Sequence, residues 1–412
     1  MEAQVISWNL TRRCNLECAH CYLPSADKLT GGAEELSTQE CFRVIDQIAQ
    51  VVVNPMLILT GGEPLLRPDI FEIAHYASRK NMTVVVGTNG MGMTERLAHR
   101  LMESGVQGVG VSLDSLNPSF HDSFRGVPGA WERTVKGLEA LNRVGLPFII
   151  QTTVLKGNYH EMPEIADFSY RSGARVFNIY FLVCTGRGQG LTDITPEQYE
   201  EMLKKIVDME IGYRGKMLVR AKCAPHFHRV LYEREGLSET LKARGRGCPA
   251  GESYCRITPE GLVTPCPYIP QAVGDLRKEG FVEIWRDSEG LNTLRRWELE
   301  GRCGICEFKS ICGGCRARAL ASGGGLFAED PWCAYQPGGY ELKIMDKEEI
   351  EDIKWSEDAK ERMERVPSFI RKMAMRRVEE YARSKGCKEI TLEILKEVKE
   401  RFASGPMANF RR

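Results

Sequence analysis

From Gln4 to about Val183 short apolar runs alternate with amphipathic stretches. The runs Val5 to Trp8, Met56 to Leu59, Thr83 to Val86, Gly108 to Leu113, Phe148 to Val154 and Val176 to Val183 are four to eight residues long and lack clear polar alternation. That is the pattern of parallel strands covered on both faces. Helix-start signals lie between them: Ser37 with Glu40 forms a capping box ahead of Cys41 to Val51, Pro68 stands near a helix start, and Thr94 precedes Glu95 to Ser104. Six strand-helix units in under 200 residues predict a parallel sheet or an open barrel. Functional residues should then gather at the C-terminal ends of the strands.

Thr195-Pro196-Glu197-Gln198 opens a helix to about Glu210 that leaves the repeat. Gly245 to Gly339 is rich in Cys, Gly and Pro with little helical periodicity, the composition of a small domain held by metal rather than by a core. From Tyr340 the chain is charged and helix-prone. Ile370, Met373, Ala374, Val378 and Tyr381 share a helical face, Gly386 would end that helix, and Thr391 would cap a last one over Leu392 to Phe402. The chain thus divides into a barrel (1–195), a helical bridge (196–244), a Cys-rich domain (245–339) and a helical appendage (340–412).

Composition narrows the function. The 412 residues carry 56 basic and 56 acidic side chains, without the basic excess that phosphate contacts of a nucleic-acid scaffold require. No apolar run approaches a membrane span, and Met1 to Trp8 carries Glu2 but no basic, apolar signal segment, so a cytoplasmic location is expected. There structural disulfides are rare, and the 15 cysteines read as metal ligands or buried spacers.

Directly after the first strand come Cys14, Cys18 and Cys21. Three thiolates at a strand's C-terminal end can hold three irons of a 4Fe-4S cube and leave the fourth open to a ligand. A zinc knuckle, or an electron-transfer cluster completed by a distant cysteine, would use the same spacing. The second strand ends in Gly61-Gly62-Glu63-Pro64, where glycines allow close backbone approach and Glu63 can accept from an ammonium. The third ends in Thr88-Asn89-Gly90, and the fourth in Ser112-Leu113-Asp114, a hydroxyl and a carboxylate suited to a ribose. Each alone reads equally well as a turn; their order on successive strands does not.

With these motifs the stretch from Gln4 to Gly188 resembles the radical S-adenosylmethionine (SAM) superfamily. The resemblance implies a partial (βα)6, TIM-like barrel. In it Cys14, Cys18 and Cys21 ligate a 4Fe-4S cluster whose free iron chelates SAM, and the reduced cluster cleaves SAM to methionine and a hydrogen-abstracting 5'-deoxyadenosyl radical. By the same motifs Glu63 lies near the methionine ammonium beside Gly61 and Gly62. Ser112, Asp114 and Thr153 are ribose or carboxylate contacts, and Arg187 in Thr185-Gly186-Arg187-Gly188 is a basic residue near SAM or a solvated loop arginine. Such chemistry needs a reductant such as flavodoxin or ferredoxin.

Eight more cysteines lie between Gly245 and Gly339: Cys248, Cys255, Cys266, Cys303, Cys306, Cys312, Cys315 and Cys333. Eight thiolates suit two fully ligated 4Fe-4S clusters or two structural zinc sites, and spacing does not separate iron from zinc. The region resembles the SPASM domain, whose interlaced pairing implies Cys248, Cys255, Cys266 and Cys315 for one auxiliary cluster and Cys303, Cys306, Cys312 and Cys333 for the other. It departs from the usual pattern in having two residues, not three, between Cys312 and Cys315. Pro259-Glu260-Gly261 supplies a hairpin turn between Arg256-Ile257-Thr258 and Leu262-Val263-Thr264. Eleven cysteines are then placed, leaving Cys41 and Cys387 as buried small hydrophobes, Cys184 at a strand end, and Cys223.

Cys223-Ala224-Pro225-His226-Phe227-His228 could ligate heme iron, anchor tetrapyrrole carboxylates or act in proton transfer, and reads equally well as a Pro-turned loop. Ser7-Trp8-Asn9, Gly247 to Gly251, Arg256 to Pro267, Cys312 to Ala319 and Asp330-Pro331-Trp332-Cys333 resemble the siroheme-dependent heme and heme d1 enzymes, which remodel acetate and propionate side chains. Val366 to Arg371, Glu380-Tyr381-Ala382 and Ile390-Thr391 resemble the C-terminal domain of a light-independent protochlorophyllide reductase subunit, or form a generic amphipathic helix pair. Three functions stay open: radical chemistry on a tetrapyrrole side chain, maturation of a peptide or protein, and plain electron transfer. With the first strand at Val5, no peptide-binding domain is expected ahead of the barrel, although a partner protein could supply one, and a pure electron carrier has no use for an open iron site.

Overall fold

The apolar runs form parallel strands. Val5–Asn9 (β1), Met56–Thr60 (β2), Thr83–Thr88 (β3), Val106–Ser112 (β4), Phe148–Val154 (β5) and Val176–Phe181 (β6) pair in sequence order, the connectivity of an open βα barrel. The computed structural model describes residues 3–23, 34–52, 54–191, 194–236, 241, 246–338, 353–364 and 387–402, with isolated positions between 366 and 385.

Helices Thr38–Ala49 (α1), Ile70–Arg79 (α2), Glu95–Glu103 (α3), Pro118–Arg125 (α4), Ala130–Val144 (α5) and Met162–Arg171 (α6) connect these strands. Their starts follow local chemistry: Ser37 and Glu40 form the capping box of α1, and the Thr94 hydroxyl accepts from the Leu97 N–H on α3. Strand alternation sends Ile6, Trp8, Leu57, Leu59, Val84, Val86, Ile150 and Ile179 into the core, all fully buried. Each such burial contributes roughly 1.5–3 kcal/mol. The alternate positions, Ser7, Asn9, Gln151, Thr153, Asn178 and Tyr180, are polar and face the barrel interior.

The bridge is not wholly helical. After Pro196–Gly212 (α7) comes a seventh parallel strand, Leu218–Lys222 (β7), paired with β6, and then Phe227–Glu235 (α8). In β7 the interior positions carry Arg220 and Lys222, which breaks up the apolar run that would mark a strand.

The Cys-rich domain joins the barrel through the same sheet. Tyr254–Ile257 (β8) lies parallel to β1 on the side opposite β2, and the hairpin to Leu262–Thr264 (β9) turns at Pro259-Glu260-Gly261, with Gly274–Asp275 (β10) last. The domain also extends the apolar core of the barrel. Phe281–Asp287 (α9) and Glu289–Arg296 (α10) bury Phe281, Ile284, Trp285 and Leu291 in one cluster with the barrel. Gly301–Ile305 (α11) holds Cys303 at its centre and Cys306 just past its end, and Cys315 directly precedes Arg316–Ala321 (α12). Helices of five to eight residues are too short to show the periodicity by which sequence reveals a helix.

At the C-terminus Glu357–Glu364 (α13) and Leu392–Phe402 (α14), with the short pair Lys354–Trp355 (β11) and Glu389–Ile390 (β12), enclose Ala359, Val378, Ala382, Ile390 and Ile394. Tyr381 and Cys387 pack against that small core, whereas Ile370, Met373, Gly386 and the boundary residues Gly245, Gly339 and Tyr340 lie outside the described residues. Among the described residues no helix is long and apolar enough to cross a membrane.

Candidate active site

The segment holding Cys14, Cys18 and Cys21 follows β1 and is clasped by three loops at the C-terminal ends of the barrel strands. The Gly62 N–H donates to the Thr11 carbonyl at 2.8 Å and the Glu63 N–H to that of Arg13 at 2.7 Å. The close approach that the glycines permit is to this segment: a Cβ at Gly61 would stand 2.6 Å from the Thr11 oxygen, and one at Gly62 would stand 2.2 Å from that of Arg13. From α4, the carbonyls of Arg125 and Phe124 accept from Glu17 and Ala19 at 3.0 and 2.9 Å. From the loop after β6, exposed Arg187 donates its backbone N–H to Cys21 and its Nε to the Cys18 carbonyl, both at 3.0 Å.

The three thiols pack around Leu16, Met91 and Ala130. Burial first, with the neighbouring thiols of Cys18 and Cys21 adding, pushes Cys14 up to about 12. Sulfur-directed backbone N–H groups act against that penalty: Leu16 on Cys14 and Leu23 on Cys21. Arg125, which no sequence signal marks, brings Nη1 to 3.6 Å from Cys18 Sγ.

Glu63 is buried, and its carboxylate accepts from the Thr88 hydroxyl and the Asn89 N–H, both at 2.8 Å, and from the Leu65 N–H at 3.2 Å. Burial nevertheless raises its pKa. Asn89 reaches back to Asn15 at 2.7 Å, so the ends of β2 and β3 and the cysteine segment form one hydrogen-bonded unit. Ser112 and Thr153, half-buried, end β4 and lie in β5. Asp114 is fully buried and already engaged. One oxygen takes Arg125 Nε at 2.7 Å and the other the Thr153 N–H at 2.9 Å, so the carboxylate anchors Arg125 instead of standing open to a ribose. His20, stacked on Phe124 with ring centroids 4.4 Å apart, has a buried Nδ1 without a hydrogen-bond partner.

Beside the cysteine segment the barrel interior is aromatic and basic. The Tyr22 hydroxyl accepts from Asn9 at 3.1 Å, and its ring meets that of Tyr268 edge to face with centroids 5.3 Å apart. Arg256 donates to the Asn9 side-chain oxygen Oδ1 and lies 5.4 Å over the Tyr22 ring. Register aligns Gln151, Asn178 and Arg220 in one row and Thr153, Tyr180 and Lys222 in the next.

The other cysteines form two neighbourhoods. Cys303, Cys306, Cys312 and Cys333 line one cavity together with His226, Arg229 and Gly314. Burial raises Cys306, Cys312 and Cys333, offset by the N–H groups of Phe308, Gly314 and Tyr335, each two residues on. In the second neighbourhood Cys266, Cys315 and Cys223 pack with Val183, Ile269, Ala317 and Tyr268. Cys248 joins them, because its sulfur accepts from the Arg316 N–H next to Cys315. Cys255 does not: in β8 it stands beside Ile6, fully buried in the core shared with the helices.

Buried charges brace both neighbourhoods. Asp330 accepts from the Cys315 N–H at 2.7 Å and from Arg318 at 2.8 Å, while Arg318 lies 4.1 Å over the Trp332 ring and donates to the Cys223 carbonyl at 2.7 Å. Arg316 is fully buried and caps the carbonyls of Leu326 and Ala328. His226 accepts from or donates to Tyr199 through Nδ1 at 2.9 Å, and its buried Nε2, without a hydrogen bond, lies 3.9 Å from Asp330 Oδ2.

Among the described residues no three Cys, His, Asp or Glu side chains form a group that could hold a metal ion. The donor chemistry nonetheless fits a thiolate-ligated iron-sulfur group: thiols that are costly to ionise alone, and N–H groups directed at their sulfurs.

A family model described as the radical SAM superfamily matches residues 8–169, and one described as an iron-sulfur cluster-binding domain, SPASM, matches 248–307. A third, the 57 kD subunit of proto-chlorophyllide reductase, matches 355–399. The AdoMet-dependent heme synthase of Methanosarcina barkeri is 41% identical over 81% of this chain and 97% of its own length. The pre-heme d1 synthase of Dinoroseobacter shibae is 32% identical over 80% of this chain and 85% of its own. In fold the chain is similar to Streptococcus suis SuiB crystallised with S-adenosylmethionine, with a TM-score of 0.66 at 18% identity, covering 81% of this chain and 78% of that one. The chain therefore belongs to the radical SAM superfamily, as a SAM-dependent iron-sulfur enzyme with a C-terminal SPASM domain, and is closely related to the AdoMet-dependent heme synthases and pre-heme d1 synthases.

Proposed function

We propose that this enzyme directs a 5'-deoxyadenosyl radical at a side chain of a siroheme-derived tetrapyrrole, decarboxylating it or removing side-chain carbons, in the formation of heme or heme d1. The similarity to the heme synthases along nearly their whole length carries this reading. The barrel interior suits it. Tyr22, Tyr180, Tyr254 and Tyr268 offer aromatic faces to a flat macrocycle, and Arg220, Lys222 and Arg256 supply cations for its acid side chains. The chain's zero net charge is no obstacle, since recognition needs only this local excess.

Cys14, Cys18 and Cys21 would hold the SAM-binding 4Fe-4S cluster, which when bound supplies the electron that cleaves SAM. Glu63 would accept from the methionine ammonium, with Gly61 and Gly62 fixing the cysteine segment beside it. Ser112 and Thr153 are within the same strand ends for the ribose or carboxylate, and Arg187 would hold the cysteine segment by its carbonyls. Asp114 would act through Arg125, whose charge sits beside the Cys18 sulfur. Two auxiliary 4Fe-4S clusters in the SPASM domain bring the total to three, with flavodoxin or ferredoxin as the external reductant.

Titration of the anaerobic protein with siroheme derivatives bearing free propionates tests the substrate. Binding at micromolar concentration, followed by absorbance, together with substrate-dependent release of 5'-deoxyadenosine, is the expected result. No binding would overturn the tetrapyrrole reading in favour of a peptide.

A further inference from the structure

Cys223 follows β7 directly, on the barrel side of the chain, and no spacing motif includes it. We infer that Cys223 completes the auxiliary iron-sulfur site whose other ligands are Cys248, Cys266 and Cys315, and that Cys255 lies outside it. This rests on the reading of that site as a 4Fe-4S cluster.

Strand geometry removes Cys255. Side chains alternate across β8, and Tyr254 and Arg256 on either side of Cys255 face the barrel interior, where Tyr254 bonds to the Ser7 side chain and Arg256 to Asn9. Cys255 is therefore turned to the opposite face, level with Ile6, and its charged neighbour there is Arg295 of the helical layer. On that face Cys255 is packed into the apolar core with Ile6, whereas Cys266 acts electrostatically on Tyr254 and Tyr22 of the interior.

The same geometry brings Cys223 in. Lys222 pairs with Tyr180 at the C-terminal end of the sheet, so the next residue emerges where the interior opens. Cys223 packs in one cluster with Cys266 and Cys315, and it feels the electrostatic influence of Cys315 and Cys248. Gly247, next to Cys248, leaves so little room that a Cβ there would stand 2.7 Å from Pro225, two residues beyond Cys223. Cys223 also holds a φ of 55°, a left-handed conformation that residues other than Gly, Asn and Asp seldom adopt. Arg318 fixes that conformation by donating to the Cys223 carbonyl while its other nitrogen holds Asp330, which in turn takes the Cys315 N–H. Four thiols thus converge from four chain segments, one of them contributed by the barrel.

The test uses the full-length protein purified anaerobically, with iron analysis, Mössbauer and EPR spectroscopy. Wild type is expected to carry about twelve irons, about four in each of three clusters. Cys223→Ala should lose about one third of the iron and one auxiliary EPR signal, while Cys255→Ala keeps both. Cys223→Ser, which preserves size and offers an oxygen ligand, should retain the iron with a changed EPR spectrum. Retention of the SAM-induced change in the EPR of the Cys14 site shows in each variant that the barrel is folded. Full iron and an unchanged spectrum in Cys223→Ala, or loss of an auxiliary cluster in Cys255→Ala, overturns the assignment. Wild type with only about four irons would instead refute the auxiliary clusters themselves, a result distinct from either.

Discussion

Asp114 accepts Arg125 Nε at 2.7 Å, and the same guanidinium reaches Cys18 Sγ at 3.6 Å through Nη1. Asp114 is fully buried and the Arg125 side chain is 8% exposed, so the pair has little water to fall back on. Burial alone would raise the Asp114 pKa, but Arg125, with His20 and His121 and the Thr153 N–H, holds it below the ordinary range.

Removing one partner of such a pair costs about 3–5 kcal/mol, because the other charge stays buried. Asp114→Asn should therefore lower the unfolding free energy by about 3 kcal/mol or more in denaturant melts. A depressed carboxylate contributes stability above its unfolded pKa and loses it as pH falls towards its folded one. The difference between wild type and variant should thus hold steady down to about pH 4 and shrink below. An unchanged midpoint at neutral pH would contradict the role assigned to the pair.

The histidines act in the same direction but at higher pH. Burial, the largest cause at each, lowers His20, His121 and His226 to about 4. For His121 the geometry agrees: Nδ1 accepts from the Asp114 N–H at 3.2 Å, which needs the neutral ring. The unfolded chain binds more protons than the folded one between pH 6.5 and 4, so stability should fall as pH drops through that window. His121→Asn should reduce the steepness of this fall by about one proton in urea melts across the window; an unaltered slope would show that His121 protonates freely in the fold.

The two glycines give a sharper structural test. A Cβ on Gly62 would stand 2.2 Å from the Arg13 oxygen, in backbone that cannot swing aside, whereas one on Gly92 meets nothing within 4 Å. Gly62→Ala should lower the iron content by about four per chain and abolish SAM cleavage, with Gly92→Ala as an unaffected control. Normal iron in Gly62→Ala would mean that the cysteine segment assembles without this docking.

Glu63→Gln separates ligand binding from cluster assembly. The amide preserves the shape and one acceptor but loses the charge offered to an ammonium, a hydrogen bond of about 1.5–3 kcal/mol. The Kd for SAM should rise about tenfold to a hundredfold by calorimetry while the iron content stays constant. An unchanged Kd would remove Glu63 from the SAM site.

How much of this was legible in sequence depended on the range over which each residue acts. The strand-end motifs stand out because every parallel strand delivers its next residues to the same rim, and the capping boxes at Ser37 and Thr195 because their partners lie three residues away. The room needed at Gly61 and Gly62 is equally legible, but not what fills it, since Thr11 and Arg13 lie about fifty residues earlier. Asp114 resembles a ribose contact until Arg125 is seen against it. The resemblance to the SPASM domain groups Cys255 with Cys248 and Cys266, yet strand phase decides which thiols meet, and Tyr254 and Arg256 fix that phase. Strand β7 is hidden by Arg220 and Lys222, whose charge belongs to the interior.

The parallel pairing of β1 with β8 joins residue 5 to residue 254, two segments far apart along the chain. During synthesis, at roughly 5–20 residues per second, the outer edge of β1 therefore waits some tens of seconds for its neighbour. An unpaired strand edge is a template for association with other chains. Metal loading after release would not shorten that wait, because the edge is covered by the hairpin rather than by the clusters. Slowing translation between β7 and β8 should raise aggregation of the nascent chain even when iron and sulfide are plentiful.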